Sequence, residues 1–267
     1  MAVLTISREL GSGGREVGLM LSERLGYRFA DRERILAGLK AAGHKWEKWT
    51  EGLDEHTPRL WEKYDRSYRV FVAMVRSTIL SEAASDRVVI IGRGGNYVLE
   101  GVPFALRARI VALLKDRIER ICEHEEIDED AARRLIAGTD RERAGFLTSV
   151  YGRDGKDPVD YDLVFDSSTM PINRIVTALA ELLVEKDRLR DEKSVSVLKM
   201  RALAAGIEAH LLTALPFFMS TLEVAFDGEA VCVRGVVRLP RERTLVMDEA
   251  TKMAGDAPLK FELKYRQ

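Results

Sequence analysis

Apolar and polar positions along this chain fall into short bursts whose spacing switches between that of strands and that of helices. Val3-Leu4-Thr5-Ile6 is a brief apolar run that predicts a strand. Val17, Met20, Leu21 and Leu25 then follow at helical spacing until Gly26, with a second extended segment over Tyr27 to Asp31. Val70, Phe71, Met74, Val75 and Leu80 mark a buried helix, and the unbroken run Val88-Val89-Ile90-Ile91 suits a central parallel strand covered on both faces. A strand from Arg109 to Leu114, helices over Asp116 to Gly138 and Thr139 to Val150, and a strand from Tyr161 to Asp166 come next. Pro171 opens a further helix through Ile175, Leu179, Leu182 and Leu183. Strands alternating with helices predict an α/β fold built on a doubly wound parallel sheet. Between His44 and Ser67 the pattern turns polar and irregular around Trp46, Trp49 and Trp61, and it reads as a helical excursion covering something.

The grammar changes after the charge-rich stretch Glu185 to Lys193, where a domain boundary is expected. A helix from about Val195 to Leu215, two alternating strands joined at Asp227-Gly228, a helix from Pro240 to Ala254 and a last strand at Leu259 to Leu263 form a small α+β unit. The expected units are 1–190 and 194–267.

The chain has 267 residues, 42 Lys and Arg against 43 Asp and Glu, and a formal charge of −1. That balance argues against broad affinity for nucleic acid or for an anionic membrane, so any arginine that matters acts locally. Cys122 and Cys232 stand alone and outside metal-ligand spacing. No apolar run reaches transmembrane length, and a strand pattern begins at once where a leader would carry a charged and then apolar segment, so a cytoplasmic location is expected.

The densest chemistry lies in Ser7-Arg8-Glu9-Leu10-Gly11-Ser12-Gly13-Gly14-Arg15-Glu16-Val17-Gly18, a glycine-rich turn between strand and helix. Such a turn cradles an anion, because successive backbone N–H groups and the positive end of the helix dipole point into it. Gly11 to Gly14 offer backbone donors, and Ser12 offers a hydroxyl. A full G-x-x-x-x-G-K-[ST] motif would carry lysine at Gly14 and a hydroxyl residue at Glu16. Arg15 could substitute from the next position; Glu16 could bind Mg²⁺ or simply favour the helix N-terminus through the dipole. Two other readings compete: a tight turn with no ligand, and a dinucleotide site with Asp31 on the ribose, against which the third glycine of G-x-G-x-x-G falls on Glu16.

Five ordered motifs, Ile6 to Gly18, Leu25-Gly-Tyr-Arg-Phe-Ala-Asp31, Ile91-Gly-Arg-Gly-Gly-Asn-Tyr97, Asp140-Arg-Glu-Arg143 and Tyr151 to Asp162, resemble the cytidylate kinase-like family over about residues 1 to 185. The resemblance implies a P-loop kinase fold with a phosphate-binding loop, a monophosphate-binding region and an arginine-bearing lid. It implies ATP phosphates at Gly11 to Gly14, a nucleoside monophosphate at Asp31 and Arg93, lid residues Asp140, Arg141 and Arg143, and Asp162 near the nucleotide. It further implies ATP and Mg²⁺ as cofactors and CMP as acceptor, with Arg15, Arg93, Arg141 and Arg143 neutralising the developing charge. No residue is assigned as a metal ligand. Gly14, Glu16 and Gly94, which replaces the Asp that follows Gly-Arg in cytidylate kinases, depart from the family pattern. They leave a second reading open, a nucleotide-binding sensor or scaffold without turnover, beside a third, a structural domain pair. The C-terminal unit looks like a BON-type domain in its order of elements and in Val233 to Leu239; it is open to packing on the first unit, to pairing with a second copy, or to binding a partner protein.

Overall fold

The computed structural model describes residues 1–35 and 66–266, so the tryptophan-bearing excursion expected at His44 to Ser67 lies almost wholly outside the described residues. Strands β1 (Val3–Arg8), β2 (Arg28–Ala30), β3 (Val88–Ile91), β4 (Ala105–Val111) and β5 (Leu163–Asp166) form one sheet in the order β2-β3-β1-β4-β5. Every neighbouring pair in it is parallel. Helices α1 (Gly14–Leu25), α2 (Arg66–Ala84), α3 (Gly95–Val98), α4 (Leu114–Glu125), α5 (Glu129–Tyr151) and α6 (Ile172–Asp187) connect the strands.

Strand periodicity of two sorts the sheet into two faces. Leu4 and Ile6 of β1, Val89 and Ile91 of β3, and Leu106, Ala108 and Ile110 of β4 share a core with Val17 and Leu21 of α1 and with Ile175 and Leu179 of α6. On the other face Val3, Val88, Ile90 and Ala105 pack with Val70, Phe71 and Val75 of α2. Helices on both faces make the sheet doubly wound, as the alternation of strands and helices predicts.

The second sheet holds β6 (Glu223–Phe226), β7 (Val231–Val237) and β8 (Leu259–Tyr265) in that order, with β6 antiparallel and β8 parallel to β7. Helices α7 (Glu192–Ala214) and α8 (Pro240–Ala254) complete this unit. Its apolar residues Ile207, Leu211, Val224, Val233 and Val246 belong to the same continuous core as α2. Guanidinium groups stitch the seam: Arg66 donates to the carbonyls of Leu212 and Leu215 at 3.2 and 2.8 Å, and Arg69 to those of Met219 and Leu222 at 3.2 and 2.6 Å. Arg201 of α7 donates to Val98 and Glu100 at the end of α3.

Two boundaries differ from the sequence reading. β4 begins at Ala105 and ends at Val111, not over Arg109 to Leu114, because it pairs with β1 from Val3↔Ala105 onward, while Leu113 and Leu114 are exposed at the start of α4. Arg107 and Arg109 alternate with its apolar residues and hide the strand from a hydrophobicity count. The break between the following helices falls at 126–128 instead of at Gly138. Glu126 takes a left-handed C-cap and the Asp128 side chain accepts from the Ala131 amide at 2.7 Å, which starts α5. Gly138 sits inside α5 facing open space.

Candidate functional site

The glycine turn leaves β1 at the carboxyl edge of the sheet, where α/β folds bind ligands. Gly11 and Gly13 have φ of +77° and +76°, a backbone that side chains resist, and Gly13 is the N-cap of α1 with no side chain capping it. Three successive carbonyls of the turn are held from outside. Arg117 Nε donates to Leu10 O at 2.7 Å, Arg120 Nη1 to Gly11 O at 3.1 Å, and Ser167 Oγ to Ser12 O at 2.8 Å. In a planar trans peptide the next N–H points opposite to the carbonyl, so the amides of Gly11 and Gly13 face away from these anchors. The first-turn amides of α1 likewise have no intrahelical acceptor. Together they make the cradle an anion needs. The Ser12 hydroxyl, in contrast, is buried and donates to the carbonyls of Glu9 and Ile110 at 2.9 and 3.1 Å, so its proton serves the fold.

Beside the turn lies a cavity of about 570 Å³, walled by the ends of β1 and β3, by α5 and by the segment around Asp154. Seven arginines (Arg8, Arg32, Arg93, Arg109, Arg117, Arg141 and Arg143) and Lys156 line it, against the carboxylates of Glu9, Asp140, Glu142 and Asp154. In a protein of near-zero net charge this is a concentrated positive site. Arg93 reaches it from a run of three left-handed residues, Gly92, Arg93 and Gly94, with φ of +73°, +57° and +72°. A non-glycine residue there costs on the order of 1 kcal/mol, and such strain collects at functional sites. Its guanidinium lies over the Phe146 ring at 5.7 Å, and its carbonyl accepts from the Tyr151 hydroxyl at 3.0 Å. Burial pushes the Tyr151 hydroxyl pKa well above its usual value. Tyr97, stacked near Tyr151 at 5.1 Å, is also raised, first by burial and then by its hydrogen bond to Asp160. Both phenols therefore stay neutral donors.

The structure brings some of the expected residues together and separates others. Arg93, Asp140, Arg141 and Arg143 all line the cavity. Asp140 accepts from the Leu10 amide at 3.0 Å and pairs with Arg117, and Arg143 Nη1 donates to Arg8 O at 3.3 Å, so α5 is tied to the glycine turn twice. Arg15 turns away: it pairs with Asp31 at 3.2 Å, lies over Phe29 and is 63% exposed. Asp31 receives that pair and also accepts from the Arg34 amide, while its neighbour Arg32 reaches the cavity. Asp162 lies just before β5 at the amino edge of the sheet, opposite to the ligand edge, where it binds Arg107 and Lys186. Burial raises the Asp162 pKa, but hydrogen bonds from the Arg107 amide and guanidinium, with the Lys186 charge, outweigh it and leave the pKa lowered.

Glu16 stands exposed in the first turn of α1, its Oε2 lying 4.0 Å from where a Cβ on Gly13 would be. Among the described residues no group of three or more His, Cys, Asp or Glu could hold a metal ion. Mg²⁺ asks for less, one or two carboxylates beside substrate phosphates, and Glu16 fits that description. The sequence reading passed over Arg8, Arg109, Arg117 and Lys156. A basic residue at the end of the first strand, and arginines alternating with apolar residues at 107 and 109, were the available signals.

The sequence of residues 3–169 matches the model of the cytidylate kinase-like family. The chain belongs to that family. A solved structure of an uncharacterized protein from Eubacterium ventriosum aligns at TM-score 0.55 and 18% identity over 69% of this chain and 99% of its own, and shares the fold. A shikimate kinase from Bacteroides thetaiotaomicron aligns at TM-score 0.41 and 18% identity over 68% of this chain and 98% of its own. Among curated proteins, a uronate isomerase of Corynebacterium glutamicum is 31% identical over 105 residues, 39% of this chain, and the chain spans 20% of that relative's length. The doubly wound sheet with a glycine turn after β1 is of the P-loop kinase type that the family implies. No helix among the described residues is long and apolar enough to cross a membrane.

Proposed function

We propose that this protein is a nucleoside monophosphate kinase-like phosphotransferase that moves the γ-phosphoryl group of ATP to a monophosphate, with CMP as the acceptor. The observation that supports this reading is the adjacency of the uncapped glycine turn and the arginine-lined cavity, joined through α5 by Asp140 and Arg143. Phosphoryl transfer demands in-line positioning and positive charge around the migrating group more than covalent chemistry from the protein. The turn would hold the ATP phosphates through backbone amides. Arg93, Arg141 and Arg143 would grip the acceptor phosphate and the transferred group through guanidinium forks, which match phosphate oxygens two at a time. Glu16 would be the carboxylate that holds Mg²⁺, which when bound would neutralise phosphate charge. Residues 1–190 would form the nucleotide-binding unit, and 194–267 the unit that braces α2.

One observation favours the second reading, a nucleotide-binding sensor or scaffold: Glu16 puts a carboxylate in the first turn of α1, beside the turn that would hold the phosphates. Without a bound cation that charge repels phosphate. Incubation with Mg-ATP and each common monophosphate, followed by chromatographic quantification of the diphosphates, decides between them. Formation of CDP, lost in Arg93→Ala and in Arg143→Ala, is the expected result. Nucleotide binding with no diphosphate from any acceptor overturns the kinase reading in favour of the sensor.

A further inference from the structure

The turn lacks the lysine that its position 14 would carry in a full phosphate-loop motif, and the side chain of another basic residue, Arg8, passes beside that position. Arg8 is the last residue of β1, on the same strand face as Leu4 and Ile6, and therefore on the side covered by α1. Its side chain runs through a slot between two glycines. At the root, a Cβ on Gly14 would lie 2.6 Å from Arg8 Cβ and 3.1 Å from Cγ. Gly14 is an ordinary helical residue whose φ is not positive, so the backbone does not require glycine there; the Arg8 stem does. At the tip, a Cβ on Gly92 would lie 1.9 Å from Arg8 Nη1. Arg8 thus starts against the glycine turn and ends beside the neighbour of Arg93, lining the cavity. A lysine stem cannot leave position 14 while Arg8 occupies this volume.

Arg15, the nearest cation in sequence to the missing lysine, is directed to Asp31 and Phe29. We infer that Arg8 is the phosphate-binding cation of the loop, supplied from the strand before it instead of from the helix after it, and that Gly14 is a glycine to make room for it. The assignment rests on the phosphotransferase reading. It deepens that reading by placing a guanidinium where the turn meets the acceptor cavity, the position at which charge passes from donor to acceptor. Arg143 Nη1 donates to the Arg8 carbonyl, so the arginine-bearing helix closes onto the same residue.

A side-chain swap tests it. Binding of ATP and of inorganic tripolyphosphate is measured by titration calorimetry on the full chain, with diphosphate formation in parallel, for wild type, Arg8→Ala, Arg8→Lys, Arg8→Gly, Gly14→Lys and Arg8→Gly/Gly14→Lys. Circular dichroism melts establish that each variant is folded. Arg8→Ala is expected to weaken tripolyphosphate binding and slow transfer about a hundredfold, as loss of one charge contact to a transferring group does. Arg8→Lys should retain part of both. The double variant, in which glycine at position 8 also removes the Cβ that meets position 14, should recover at least about tenfold over Arg8→Gly. Gly14→Lys alone should melt lower and gain nothing. Folded Arg8→Ala that binds tripolyphosphate like wild type overturns the assignment, as does a folded double variant with no recovery. If wild type binds tripolyphosphate but forms no diphosphate, the kinase reading fails while the Arg8→Ala comparison still decides the role of Arg8. Wild type that binds neither ATP nor tripolyphosphate overturns both.

Discussion

The carboxylate of Asp140 accepts the backbone N–H of Leu10 at 3.0 Å, joining the middle of α5 to the first residues of the glycine turn across 130 positions of chain. The same carboxylate pairs with Arg117, whose side chain is only 8% exposed and whose Nε holds the Leu10 carbonyl. Both polar groups of Leu10 are thus satisfied by one ion pair. Asp140→Ala should leave a buried guanidinium with Glu9 as its remaining carboxylate at 3.4 Å. A loss of about 2–3 kcal/mol in urea unfolding is expected. Asp140→Asn, which keeps an acceptor for Leu10, should lose less, and equal losses would refute the shared role.

Gly94 should tolerate no side chain while Tyr151 is present. A Cβ there would lie 2.1 Å from Tyr151 Cε2, on a backbone with φ of +72°. Gly94→Ala should cost roughly 2–4 kcal/mol from overpacking and left-handed strain. In a Tyr151→Ala background the overpacking part should vanish, so a double-mutant cycle should give a coupling of about 1 kcal/mol or more. Strict additivity would show that the ring is not the obstacle. The same contact explains why the Asp found after Gly-Arg in cytidylate kinases has no room here.

Asp162 sets a pH dependence whose sign follows from its lowered pKa. A carboxylate held below its unfolded value contributes stability that is present above that value, near 3.8, and is lost as pH falls through the folded pKa. Asp162→Asn should therefore melt below wild type at pH 7, by about 1.5–3 kcal/mol for the lost charged hydrogen bonds, and the gap should close below pH 3.8. Diphosphate formation should survive, since Asp162 lies at the edge of the sheet opposite to the cavity. A gap that persists unchanged in acid would place the effect elsewhere.

Removal of the C-terminal unit should damage the first one. Phe71 and Val75 of α2 share a core with Leu211 and Val233, and Arg66 and Arg69 end on carbonyls beyond residue 211. A chain ending at Arg190 should bind a hydrophobic dye such as ANS and lose its cooperative melting transition. A cooperative melt without dye binding would show that α2 finds cover within residues 1–190.

The parallel sheet was legible because β1 and β3 are short apolar runs with glycines soon after them, and because Pro171 and Gly26 mark helix ends at which the structure begins and ends helices. The break at 126–128 was not, since a left-handed Glu126 carries no compositional mark and Gly138 imitates a stop. Within the site, Arg93, Asp140, Arg141 and Arg143 were found through motifs. Arg8, Arg109 and Arg117 were missed because their importance is three-dimensional: each sits in a strand or helix whose sequence explains it as ordinary surface. Arg15 fits the sequence pattern as a substitute cation, yet one step along a helix rotates a side chain by about 100°, enough to carry it to Asp31.

The anchored carbonyls of Leu10, Gly11 and Ser12 carry a further consequence. Their anchors come from Arg117 and Arg120 of α4 and from Ser167 after β5, all distant in sequence from the turn. The loop's shape is therefore set by tertiary structure before any anion arrives. Ordering a backbone residue costs about 1–2 kcal/mol of conformational entropy. Here that cost falls on folding, so association with a phosphate proceeds on a receptor that is already preorganised.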